Sequence, residues 1–311
     1  MAKHWAIQDI PDQHGKIVVI TGANSGIGFE TALALAGKGA QVILAARSPE
    51  KGQAAVEKIR SRYAHSSPEP MLLDLADLSS LPAFAASFLS RFTSLDVLIN
   101  NAGLMAIPLT RTADGFEMQF GTNHLGHFAL TGLLLPALLK AEAGRVVTVS
   151  SISHHLGVIN FKNLDGSISY GPWNAYHQSK LANLLFTYEL QRMFEAHHAQ
   201  AISVGCHPGY SATNLQVVGP RMSGSKPIEN LMVWANRTFA QSAAMGSLPV
   251  LYAATAPEVA GGDFIGPLGL GGMSGYPGKV QSSHRSHHVP TAKRLWEISE
   301  DMTRVHYSIP V

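Results

Sequence analysis

Tyr176 and Lys180 stand four residues apart in Tyr176-His177-Gln178-Ser179-Lys180, near the start of a stretch that reads as a helix from about Asn174 to His198. Residues at this spacing share one helix face. A free phenol has a pKa of about 10 and is a poor base at neutral pH. A nearby ammonium favours the phenolate and lowers that value. A fall of about three units takes roughly 4 kcal/mol, which calls for a second positive charge in the site. Alone, the pair is also what an ordinary solvated helix face looks like. Its weight comes from a second stretch, Thr21-Gly22-Ala23-Asn24-Ser25-Gly26-Ile27-Gly28.

That stretch follows Ile17-Val18-Val19-Ile20, a β-branched run that reads as a buried parallel strand, and precedes an Ala/Leu-rich helix reaching about Lys38. Strand, glycine-rich turn and helix form the setting of a dinucleotide site. Gly22, Gly26 and Gly28 give a tight turn, close backbone approach and close helix packing. A pyrophosphate would sit on the helix N-terminus, where free N–H groups and the dipole favour anions. The spacing is G-x-x-x-G-x-G rather than G-x-G-x-x-G, and an ordinary βα turn is the plain alternative. A bound oxidised nicotinamide would supply the second positive charge. At the end of the second strand, Gln41 to Ala46, a carboxylate would bind the ribose 2′-hydroxyl of NAD. The residues there are Ala46-Arg47-Ser48. Arg47 suits a 2′-phosphate, with Lys51 a turn further on, so NADP(H) is the expected cofactor.

The elements that position these residues alternate. Helices read over Pro49–Arg62, Leu78–Phe92 and Ala113–Ala141, the last bent at Pro136. Strands read over Pro70–Leu75, Leu95–Asn100, Arg145–Ser150, Ala201–Cys206 and Asp263–Ile265. Helices at Gln241–Thr255 and Thr291–Asp301 close the chain. This alternation predicts one Rossmann-type, doubly wound α/β domain over 1–311, with a parallel sheet of about seven strands covered on both faces. Ligands then lie at the carboxyl ends of the strands. Leu215 to Gln241, with Trp234 and Phe239, has the composition of a substrate lid.

At 311 residues the chain can bury a large core. Its net charge of +2 gives no basic footprint for nucleic acid. The single Cys206 excludes an internal disulfide framework and fits a reducing compartment. Met1 to Lys16 is too polar for a signal peptide or a transmembrane segment. A cytoplasmic protein is expected. Fifteen histidines include three adjacent pairs, none at zinc-like spacing, and no metal is expected. His124 and His127, near Asn123, read as helix packing, with support of the site from behind as the alternative, and Cys206 reads as core. Leu104, Met105, Ile107 and Leu109 read equally as pocket lining or core.

Over roughly Lys16 to Thr213, the chain resembles the short-chain dehydrogenase/reductase family, with five motifs in the right order. Gly22, Asn24, Ser25, Gly26, Ile27 and Gly28 match its cofactor turn. Asp74, with Leu75 beside it, matches the acidic position that holds the adenine. Asn101, Ala102 and Gly103 match the motif beside the adenosine ribose. Asn123, Ser151, Tyr176 and Lys180 match the catalytic tetrad. Pro208, Gly209 and Thr213 match the loop that holds the carboxamide. Gly121-Thr122-Asn123-His124-Leu125-Gly126-His127-Phe128 and Ser179-Lys180-Leu181-Ala182-Asn183 are similar to the retinol dehydrogenase branch and its bacterial relatives. So is the 25-residue separation of Ser151 from Tyr176. The N-terminal anchor common in animal members is not seen, and the sequence after Thr213 is the least recognisable part.

The resemblance implies hydride transfer between NADP(H) and an alcohol or carbonyl. Tyr176 would be the general base or acid, and Ser151 would hold the substrate oxygen. Lys180 would lower the phenol and bind the ribose. Asn123 would hold a relay water. The implied substrate is a lipophilic small molecule of retinoid, steroid or long-chain type, and a homo-oligomer is left open. Two alternatives keep the fold: a double-bond reductase of the protochlorophyllide reductase type, and a non-catalytic NADP(H)-binding regulator. The complete tetrad argues against the second.

Overall fold

The computed structural model describes residues 4–211, 222 and 240–310. Thr213, Trp234, Phe239 and nearly all of the expected lid lie outside the described residues.

Eight strands form one sheet: β1 (Ile17–Thr21), β2 (Gln41–Ala46), β3 (Glu69–Leu72), β4 (Val97–Asn100), β5 (Arg145–Val149), β6 (Ile202–Cys206), β7 (Phe264–Pro267) and β8 (Pro277–Lys279). Their order is β3-β2-β1-β4-β5-β6-β7-β8. All neighbours run parallel except β8, which pairs antiparallel with β7 from Ile265↔Lys279 to Pro267↔Pro277. The sequence predicts about seven strands, and the eighth corrects that number. Pro277-Gly278-Lys279 has neither a β-branched run nor alternation to announce it. Proline is tolerated there because the strand lies on the sheet edge.

Among the described residues the helices are α1 (Gly26–Gly37), α2 (Pro49–Arg62), α3 (Ser80–Leu89), α4 (Met118–Phe120), α5 (Gly126–Leu138), α6 (Pro172–Ala196), α7 (Ala243–Thr255) and α8 (Val289–Thr303). A π-helical turn, Gly121–Leu125, joins α4 to α5. On one sheet face Val18, Ile20, Val42 and Leu44 pack with Leu35 of α1 and Leu251 of α7. On the other, Val19, Ile43, Leu98 and Val146 pack with Phe88, Leu134 and Phe186. Successive strand residues thus point to opposite faces, and both faces are apolar because both are covered.

The long helix expected from Ala113 begins only at Met118. Residues 112–115 form a turn, and the Glu117 carboxylate accepts from Gln119 N–H at 3.0 Å and Phe120 N–H at 2.6 Å. That side chain caps the helix start. Pro136 sits inside α5.

The sheet changes direction at β1, which lies between β2 and β4. Connections leave β1 and β4 to opposite sides. A crevice therefore opens beyond the carboxyl ends of these two strands, as in other open α/β sheets.

Candidate active site

The turn after β1 floors the crevice. Gly22 and Gly26 have φ of 67° and 56°, in the region that disfavours side chains. Gly28 is required for contact: a Cβ there would come within 2.5 Å of Asn101 Nδ2 and 2.6 Å of the Gly22 carbonyl. Asn101 Nδ2 in turn donates to the Thr21 carbonyl at 2.8 Å, so the ends of β1 and β4 are tied together under α1. Ser25 occupies the N-cap of α1 with extended backbone, yet its side chain makes no capping bond. Ser48 and Ser242, by contrast, cap α2 and α7. The first N–H groups of α1 are thus left for an anion, and the cleft opens directly onto them.

The cleft has a volume of about 520 Å³. Lining it are Gly22, Asn24, Ser25, Gly26, Ile27 and Gly28 of the turn, and Asn101, Ala102 and Gly103 after β4. Ser151 follows β5, Tyr176 and Lys180 come from α6, and Pro208 and Gly209 follow β6. Fourteen of the expected site residues meet here. Asn123 stands directly behind them: a Cβ on Gly103 would be 3.3 Å from Asn123 Oδ1 and 3.5 Å from Lys180 Nζ. Arg47 is exposed at the end of β2, and Asp74 and Leu75 follow β3. These three do not line the cleft. One Asp74 oxygen accepts from Ala76 N–H at 3.0 Å. A separate hollow of about 480 Å³ between residues 156–171 and α6 contains none of the expected residues.

The end of β5 is bolted to α6. Lys180 Nζ donates to the Val149 carbonyl at 3.1 Å, as does Asn183 Nδ2 at 3.1 Å, and Ser150 Oγ donates to the Lys180 carbonyl at 2.7 Å. Ser151 follows at once and starts a short 3₁₀ turn, its Oγ accepting from Ser153 N–H at 3.2 Å. The same hydroxyl lines the cleft with the Tyr176 phenol and favours its ionised form. Tyr176 is 4% exposed, and the Lys180 ammonium lies 5.7 Å from its ring centroid.

Without the second positive charge that the expected lowering of the phenol calls for, burial pushes Tyr176 up to about 12, and Ser151 only partly opposes it. Burial also brings Lys180 down to about 8. Both shifts share a cause, since a dry site disfavours the charged form of each group.

The asparagine is a clamp. Asn123 Oδ1 accepts from Leu104 N–H at 2.7 Å, while Nδ2 donates to the Leu104 carbonyl at 2.9 Å and to Ser179 Oγ at 3.0 Å. Both amide hydrogens and one lone pair of Oδ1 are therefore used in holding the strand-end segment 101–105 against α6. Ser179 completes the link by donating to the Tyr176 carbonyl at 2.8 Å.

Several cleft residues were not singled out as site residues. Trp173 lies edge-on to Tyr176 with ring centroids 6.2 Å apart. It stands three residues before Tyr176 on the same helix face, which was a legible signal. Ile152 borders Ser151 in sequence. Met273 arrives from the glycine-dense stretch, and no local pattern marks it. Of the four apolar candidates, Leu104 and Met105 line the cleft, while Ile107 is buried and Leu109 exposed. Cys206 is buried core, its thiol pushed up to about 12.

A switch-point cleft with a glycine-rich helix start, a buried Tyr–Lys pair and a serine on the same wall is compatible with a nucleotide-dependent oxidoreductase of the doubly wound class. Comparison with known proteins agrees. The sequence model of the short chain dehydrogenase family matches residues 16–218. Human retinol dehydrogenase 11 is 40% identical over 290 residues, covering 93% of this chain and 86% of its own. Polyprenol dehydrogenase of Danio rerio is 36% identical over 304 residues, covering 96% and 89%. The crystal structure of an uncharacterized Mycobacterium paratuberculosis protein superposes with a TM-score of 0.81 at 43% identity, covering 99% of this chain and 100% of that one. A short chain dehydrogenase from Shigella flexneri complexed with NADP shares the fold, with a TM-score of 0.63 at 24% identity over 82% of this chain and 98% of its own. The chain belongs to the short-chain dehydrogenase/reductase family, in its retinol dehydrogenase-like branch, and is an oxidoreductase of alcohols and carbonyls. No helix among the described residues is long and apolar enough to cross a membrane.

Proposed function

We propose that this chain is an NADP(H)-dependent alcohol dehydrogenase or carbonyl reductase acting on a lipophilic substrate. The observation that carries the reaction is the meeting of Ser151, Tyr176 and Lys180 in one cleft with the glycine-rich start of α1. Bound NADP(H) supplies the hydride chemistry. Tyr176 moves the proton at the substrate oxygen, and Ser151 Oγ holds that same oxygen. Lys180, anchored on Val149, keeps its positive charge below about pH 8. Together with an oxidised nicotinamide it offsets the burial that otherwise holds the phenol protonated. Gly22, Ser25, Gly26 and Gly28 take the pyrophosphate. Arg47 takes the 2′-phosphate, as no carboxylate ends β2.

Lipophilic preference is supported by Ile27, Leu104, Met105, Ile152, Trp173 and Met273 around the cleft and by the names of the relatives. The test is a fluorescence titration with NADPH and NADH, followed by a panel of alcohols and carbonyls read by NADPH absorbance. NADPH should bind at least about tenfold tighter, one charge-assisted contact's worth. Arg47→Ala should weaken NADPH and leave NADH nearly unchanged. Equal affinities in the unmodified protein would defeat the cofactor assignment, and turnover confined to small polar substrates would defeat the lipophilic one.

A further inference from the structure

His127 lies on the first turn of α5, is 1% exposed and does not line the cleft. Its two ring nitrogens reach different parts of the site. Nδ1 is 3.0 Å from the main-chain carbonyl of Asn123, and Nε2 is 2.9 Å from Thr21 Oγ1. A carbonyl can only accept, so Nδ1 carries the proton. Burial, with Lys180 nearby, keeps the ring neutral, its pKa brought down to about 4. In a neutral ring Nε2 must then accept, and Thr21 is the donor. The Thr21 oxygen itself accepts from Asn101 N–H and Ala102 N–H, both at 2.9 Å. Its one proton has a nearer partner in His127 than in the Ile99 carbonyl at 3.4 Å.

The donors therefore run in one direction. Asn101 and Ala102 donate to Thr21, Thr21 donates to His127, and His127 donates to the Asn123 carbonyl. The Asn123 side chain then grips Leu104 and Ser179, and Ser179 donates to the Tyr176 carbonyl. We infer that His127 is a positioning residue, a neutral ring of fixed tautomer that sets the cofactor-side loop 101–103 in register with the Asn123 turn and, through it, with the helix that carries Tyr176. This rests on the reading of the cleft as the dinucleotide site. A ring that only filled space would need neither bond.

Three measurements test it. Long-range ¹H–¹⁵N correlation on ¹⁵N-histidine-labelled protein, with the signal assigned by its loss in His127→Leu, should show at neutral pH a proton on Nδ1 and none on Nε2. The opposite tautomer or a charged ring overturns the inference, and this readout needs no cofactor. Next, Asn places an amide nitrogen where Nδ1 stands, and Gln places a polar atom where Nε2 stands. His127→Asn should keep kcat within about threefold while the Kd for NADPH rises roughly tenfold, a hydrogen bond's worth. His127→Gln should show the reverse split. Parallel losses of kcat and affinity in both variants, tracking their melting temperatures, would make the residue merely structural. Finally, in kcat/KM the double variant Thr21→Val/His127→Leu should be no worse than the poorer single variant, because the two form one bridge. Multiplicative losses would break the coupling. If the unmodified protein binds neither NADPH nor NADH, the functional reading fails, while the tautomer result still decides the bridge.

Discussion

Among the described residues, four histidines are buried without any carboxylate partner, and their cost should appear as acid instability. His124 donates from Nε2 to Ser299 Oγ at 2.9 Å, because the Ser299 proton goes to the Leu295 carbonyl. Its ring packs among Phe120, Phe128 and Phe186. His127 has the two bonds described above. His154 donates from Nδ1 to the Ser151 carbonyl at 2.7 Å and accepts on Nε2 from Ser283 N–H at 3.0 Å. His207 accepts on Nδ1 from Gly209 N–H at 3.3 Å, and its ring lies against Phe264. For His127, His154 and His207, a second ring proton would face a donor. Burial lowers His124 to about 3 and the other three to about 4.

An unfolded histidine titrates near 6.5. Between that value and the folded pKa, the unfolded chain binds protons that the native chain refuses. Stability therefore rises with pH in this window, is fully present above about 6.5, and is lost as pH falls towards about 4. Each histidine contributes about 1.4 kcal/mol per pH unit, and four together up to about 5 kcal/mol per unit. Glu117 works the other way, because burial raises its carboxyl, but it is one group against four. Against a typical stability of about 5–15 kcal/mol, unfolding should set in roughly one to three units below 6.5. Urea unfolding followed by tryptophan fluorescence at intervals from pH 7.5 to 4.5 (about the histidine window) measures the slope directly. His124→Leu should remove one proton's share of it. A slope below about 1.4 kcal/mol per unit would refute the reasoning, since even one such histidine supplies that much.

Two shorter predictions concern the site itself. Tyr176→Phe keeps the ring and removes the proton carrier, so turnover should fall by about 10²–10⁴-fold with NADPH binding retained; near-full turnover in steady-state kinetics would reject Tyr176 as the acid–base group. Gly28→Ala puts a methyl against Asn101 Nδ2 and the Gly22 carbonyl, so dinucleotide titration should show affinity lost by tenfold or more, roughly one hydrogen-bonded contact; unchanged affinity would mean that the turn does not hold the pyrophosphate.

What could be read in the sequence follows from where the physical cause lies. The β1 run, the glycine turn and the Tyr176–Lys180 spacing each owe their meaning to a few adjacent residues, so they were visible without coordinates. β8 was not, because its pairing with β7 joins Ile265 to Lys279 across a glycine-dense stretch that carries no period of its own. The late start of the helix at Met118 hinged on whether Glu117 extends the helix or caps it, and its carboxylate caps Gln119 and Phe120. The direction of the Tyr176 shift depended on burial, and spacing shows only that Lys180 is near.

The histidines carry the same lesson further. His127 is four residues after Asn123, so the sequence places the two on one helix face, and packing was the simplest reading of such a pair. The second partner of its ring, Thr21, comes from 106 residues away, where the sheet brings β1 beside β4. Only that juxtaposition turns a packed ring into a directional link. The four residues proposed for catalysis are therefore held by groups outside their set: Thr21 and His127 behind Asn123, Ser179 behind Tyr176, and His154 behind Ser151. Because three of the four are backed through hydrogen bonds to main-chain carbonyls, substituting one of the four side chains leaves this support in place, whereas substituting a supporting residue moves the four without touching them. Loss of rate with the chemistry intact is accordingly the signature expected of the supporting residues, and loss of chemistry with the geometry intact that of Tyr176.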